Sequence, residues 1–207
     1  MLHEALWEAN LDLARSCLAH PFVQALGEGS LEVDLFRGYI AQDAFFLRAF
    51  VKAYAVALAR AEDAESLAAF SELICSTLEE LRLQRGYATE LGIDLERLSP
   101  TPACSAYTDF LLRTAWHTSL AETLAAMTPC MRLYVYLGGE LAGKGEPRHP
   151  YRRWIATYSD PEFTRLASRI EALLDRFASN TPHVRQAYRY AMRCEYEFFS
   201  DAMKRAP

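Results

Sequence analysis

The sequence predicts an all-α protein. Apolar residues recur at steps of three and four along most of its length, and capping residues with proline or glycine stand where those stripes start and stop. No segment alternates polar and apolar residues as a half-buried strand does, and no hairpin turn or glycine-rich phosphate loop interrupts the pattern. Seven or eight helices, several near 25 residues, are therefore expected to form a compact bundle. The 207 residues fit one domain, 1–207, large enough to bury a substantial core.

In order, residues 2–18 carry Leu6, Leu11, Leu13, Ala14 and Leu18 on one face and predict a single amphipathic helix. His20-Pro21 should end it, because the residue before proline is pushed out of the helical region; His20 and His149, each before a proline, read as loop residues. After the turn GEGS, a long proline-free run places Phe36, Ile40, Asp43, Leu47 and Phe50 on one stripe, with one acid among apolar neighbours. A third helix, 64–91, stops at Gly92, a residue suited to a left-handed cap. The loop IDLERLSPTPACS (93–105) is the longest irregular connection predicted and reads as the rim of a cavity. A helix resumes at 106–116, bends at His117-Thr118-Ser119, and gives way to the apolar segment 121–142. There Leu120, Leu124, Met127, Cys130, Tyr134, Leu137 and Leu141 share a face, and Pro129 removes one backbone donor beside the thiol. The stretch GKGEPRHP (143–150) is a second loop, followed by a short helix at 151–158. Ser159-Asp160-Pro161 and Asn180-Thr181-Pro182 then open two last helices. The final one carries Tyr188, Met192, Glu195, Phe199 and Ala202 as its stripe.

Composition excludes several classes. The net charge is -5 and no basic cluster exists, which argues against nucleic acid as a partner. No run of eighteen apolar residues occurs and the start resembles no signal peptide, so a cytoplasmic protein without a membrane span is expected. Cys17, Cys75, Cys104, Cys130 and Cys194 show no Cys-x-x-Cys spacing and read as free thiols. The expected partner is a small molecule.

Three long helices each place one reactive group on an apolar stripe: Asp43, Cys130 and Glu195. Bundles build sites by turning such groups inward at a shared level. The residues alone leave a second reading open, in which Asp43 bonds a tyrosine, Glu195 pairs with an arginine and Cys130 only packs. No histidine lies three or four residues from an acid on a core stripe, and Glu80 with Gln84 is the nearest approach to a di-iron pair, so no metal is expected. Gly-x-Ser-x-Gly is absent, which disfavours a serine hydrolase.

The motifs HPFVQALGEGSL, FRGYIAQDAFFL, ELGIDLERLSPTPACSAYTDFLL, MTPCMRLYVYLG, YRRWIATYSDPEF and CEYEFFSDAM, in that order, resemble the TenA proteins (thiaminase II, aminopyrimidine aminohydrolase) over nearly the whole chain. The resemblance implies a heme-oxygenase-like helical bundle without haem or other cofactor, and a homotetramer. It implies a hydrolase of thiamin salvage, cleaving the C–N bond of 4-amino-5-aminomethyl-2-methylpyrimidine and of thiamin. It gives Cys130 the role of nucleophile, as in the cysteine-bearing branch, Glu195 that of acid and base, and Asp43 that of a holder of the pyrimidine. Tyr107, Tyr134, Tyr158 and Phe198 match pocket residues, and Phe46 falls where many members have tyrosine. Two other readings on the same fold are a non-catalytic pyrimidine-binding regulator and a metal-dependent oxidising relative.

Overall fold

The computed structural model describes residues 1–94, 99–143 and 150–204, and among these every regular element is a helix. Ten helices appear where seven or eight were expected: α1 (Leu2–Glu8), α2 (Leu11–Leu18), α3 (Pro21–Glu28), α4 (Val33–Leu58), α5 (Ala64–Glu90), α6 (Pro102–His117), α7 (Leu120–Ala142), α8 (Arg152–Tyr158), α9 (Pro161–Phe177) and α10 (Pro182–Ala202). The single helix expected over 2–18 is two. Asn10 causes the break: its side-chain amide donates to the Leu6 carbonyl at 2.8 Å, an alternative to the helical ladder that ends α1. His20 is likewise not a free loop residue. It is buried, its Nδ1 accepts from the Phe22 backbone at the start of α3, and Nε2 lies 3.1 Å from Ser200 Oγ.

Helix ends follow their caps. Asp63, Ser119, Asp160 and Thr181 each accept a backbone N–H from the first turn of α5, α7, α9 and α10. Gly92 takes φ 67° just beyond α5, in the left-handed region that favours glycine. Thr101 caps α6, which starts at Pro102, so the predicted loop is shorter than expected and its residues 95–98 lie outside the described ones. Residues 144–149 of the second predicted loop, His149 included, lie outside them too.

Helix α4 packs on α5 and α6, while α7 packs on α8, α9 and α10. These contacts enclose one continuous core in which Tyr39, Tyr54, Tyr107 and Tyr188 are among the largest fully buried side chains. Helix α7 runs through the middle of it and stays helical across Pro129, which is buried. The missing proline N–H leaves the Ala125 carbonyl without its regular ladder partner one turn before the thiol. No helix among the described residues is long and apolar enough to cross a membrane.

Candidate active site

A cavity lies in the core, and residues from seven helices, α4 to α10, line it. Helical period explains the convergence: Asp43, Phe46, Leu47 and Phe50 stand one turn apart on α4, as do Cys130 and Tyr134 on α7 and Glu195 and Phe198 on α10. Tyr107 comes from α6 and Tyr158 from α8. All eight residues singled out from the sequence thus face one hollow.

The acids are satisfied by neutral donors. Tyr107 donates to Glu195 Oε1 at 2.7 Å, and Gln84 donates to Asp43 Oδ2 at 2.5 Å. Neither open alternative for these acids is realised: the partner of Asp43 is an amide instead of a tyrosine, and that of Glu195 is a phenol instead of an arginine. Asp43 is 4% and Glu195 2% exposed, and burial is the main reason both carboxyls are raised. Glu195 is pushed up to about 7, with Tyr107 and Cys130 as hydrogen-bonding neighbours that hold it back from rising further. Asp43 is raised well above the usual carboxylate range, by burial first and then by the charges of Glu80 and Glu195.

Cys130 keeps some accessible surface, yet it lies deep among protein atoms; that surface faces the cavity. Burial, then the charges of Glu195, Glu80 and Asp43, push the thiol well above its ordinary value. A sulfur so placed favours the thiol form, and any nucleophilic role would need a base beside it. Glu195 is placed to be that base.

The walls are aromatic. Phe46 leans on Tyr107 with ring centroids 4.8 Å apart and meets Phe198 at 6.1 Å, while Tyr134 and Tyr158 meet edge to face at 4.7 Å. Such walls suit a flat ring. Two further residues were not read as part of this site from the sequence. Tyr39, one turn before Asp43, lies 3.0 Å hydroxyl to hydroxyl from Tyr134 and accepts from Trp154 Nε1 at 3.3 Å, fixing that tyrosine from behind. Glu80 of α5 lines the cavity itself, accepts from the Tyr158 hydroxyl at 2.6 Å, and is raised by burial. Its signal was the row Leu73, Thr77, Glu80 and Gln84, spaced by four and three along α5, of which only the last pair drew notice, as metal ligands. Among the described residues no group of three or more His, Cys, Asp or Glu is arranged to hold a metal ion.

Known proteins are similar to this chain over most of its length. An aminopyrimidine aminohydrolase of Halalkalibacterium halodurans is 35% identical over 84% of this chain and 78% of its own length. A bifunctional mitochondrial TH2 protein of Arabidopsis thaliana is 36% identical over 89% of this chain, which spans about a third (35%) of that longer protein. The solved TenA homologue from P. horikoshii OT3 superposes with a TM-score of 0.89 at 27% identity, covering 98% of both chains. A Shewanella denitrificans domain with a heme oxygenase-like fold, at 13% identity and a TM-score of 0.76 over 96% of this chain and 90% of that one, shares the fold alone. The TENA/THI-4/PQQC family description matches residues 7–206, so an all-helical bundle holding a thiol and acids in one aromatic hollow is the form this family takes here: the chain belongs to it.

Proposed function

We propose that the protein is a hydrolase of thiamin salvage that cleaves the exocyclic C–N bond of 4-amino-5-aminomethyl-2-methylpyrimidine, and that of thiamin, with Cys130 as nucleophile. The observation that carries this reading is the meeting of Cys130, Glu195 and Asp43 at one aromatic-walled cavity. Relatives named aminopyrimidine aminohydrolase at 31–35% identity support it. The free cysteines suit a cytoplasmic protein, and the resemblance to TenA proteins favours a homotetramer.

Each group suits a task. Burial and the neighbouring acids favour the protonated form of Asp43, and a carboxylic acid offers one donor and one acceptor side by side, the complement of an aminopyrimidine edge. Aromatic walls then hold the ring. Glu195 takes the thiol proton as the sulfur adds to the electron-poor ring; the C–N bond then breaks with its electron pair on nitrogen, releasing the neutral amine or azole, and Glu195 passes its proton to the freed amine or, for the azole, to solvent. The carboxylate so regenerated next takes a proton from water, whose oxygen adds to the exocyclic methylene, and the proton returns to sulfur as the ring releases Cys130. A carboxyl held near 7 suits a proton that moves in both directions at neutral pH.

Incubation with the aminopyrimidine and with thiamin, following the hydroxymethyl product, tests the reading. Cys130→Ala is expected to abolish turnover while the pyrimidine still binds. Retained turnover in that variant removes the nucleophile assignment, and no turnover by the wild type removes the reaction.

A further inference from the structure

Asp43 and Glu195 have tasks in this reaction, but Glu80, the third acid of the cavity, has none. Its carboxyl is fixed by the Tyr158 hydroxyl on Oε1, and among the described residues no other hydrogen-bond donor and no cation holds it. Among the described residues no lysine, arginine or histidine lines the cavity. Three acids thus face one hollow without a protein counter-charge, an arrangement that opposes its own ionisation until a cation enters. After Glu195, Glu80 is the carboxyl whose charge acts most on Cys130, ahead of Asp43. A substituent leaving beside the sulfur is therefore within its influence.

We propose that Glu80 is a specificity-determining residue: its carboxylate, oriented by Tyr158, supplies the counter-charge for a substrate whose departing group is a cation, a primary ammonium or an azolium. The inference rests on the hydrolase reading and extends it to a part of the site that reading leaves idle. An aminomethyl substrate carries its positive charge into the cavity, whereas the hydroxymethyl product carries none. Glu80 thereby favours substrate over product and helps the neutral product to leave. A Glu80 that merely steadied Tyr158 would serve both ligands equally.

Equilibrium binding of the aminomethyl and hydroxymethyl pyrimidines to the Cys130→Ala protein, with and without Glu80→Gln, separates these roles. With Glu80 in place the amine is expected to bind at least about tenfold tighter than the alcohol, a difference of about 1.4 kcal/mol. Glu80→Gln should bring the two within about twofold of each other, while affinity for the alcohol changes less than about threefold. Glu80→Asp, which withdraws the same charge by one methylene, should give an intermediate ratio and serves as the test if the amide variant does not fold. A ratio that neither substitution changes, or an equal loss for both ligands, overturns the proposal. Turnover by the wild-type protein is read separately: its absence removes the reaction, and the binding ratio still decides the role of Glu80.

Discussion

The Tyr107 hydroxyl donates to Glu195 Oε1 across 2.7 Å, a neutral donor holding the one acid that also neighbours the thiol. Stabilising the ionised form, this bond keeps Glu195 lower than burial alone would place it. Because Glu195 must be ionised to accept the thiol proton, kcat/KM should rise with pH through about 7 and then level off. In Tyr107→Phe the rise should move to higher pH by roughly one on the pH scale, the equivalent of one hydrogen bond to a charged group. Full pH–rate profiles of both proteins check this. An unmoved profile in Tyr107→Phe would show that Glu195 is not the group being titrated.

Stability should respond to pH in the opposite direction from activity. Asp43, Glu80 and Glu195 all have folded values raised above their unfolded ones, so each binds its proton more tightly in the folded chain. Their stabilising contribution is complete below about 4 and is lost as pH rises through the folded values. For Glu195, between 4.5 and about 7, the loss is on the order of 3 kcal/mol. Urea unfolding of the unliganded protein at pH 5.5 and at pH 8 should give the lower midpoint at pH 8. Glu195→Gln should flatten the difference, and a slope of opposite sign would contradict the buried acids as its source.

Gly138 permits α7 to touch α8. A Cβ built there would overlap the Tyr158 backbone carbonyl, and backbone, unlike a long side chain, has no free end to swing aside. Gly138→Ala should cost about 1–3 kcal/mol of stability and also reduce kcat, because Tyr158 lines the cavity and orients Glu80. Thermal melting together with steady-state kinetics tests both effects. Full activity in a stably folded Gly138→Ala protein would mean that the position of Tyr158 matters little to the reaction.

The legible part of the fold was whatever local chemistry decides. Asp160 and Thr181, with proline after each, announced their helices because caps act within one turn, and the stripes through Asp43, Cys130 and Glu195 marked the inward faces. Asn10 was not legible as a break, since its amide serves equally well on an exposed helical surface and only the bond to Leu6 turns it into a stop. His20 looked like loop for the same reason: Ser200, its partner, lies 180 positions away. Glu80 was obscured by its neighbours. It follows Glu79 on a helix rich in acids, and only its place in the row of Leu73, Thr77 and Gln84 separates it from the glutamate facing solvent. Tyr39 drew no reading because the partners of its hydroxyl, Tyr134 and Trp154, lie 95 and 115 positions away.

The site draws on seven successive helices, and the connection between α7 and α8 separates Cys130 from Tyr158 and Glu195. A chain severed there leaves the sulfur on one piece and, under the proposed reaction, its proton acceptor on the other. Neither fragment can catalyse by itself, so turnover recovered on mixing the two halves would count reassembled molecules and nothing less.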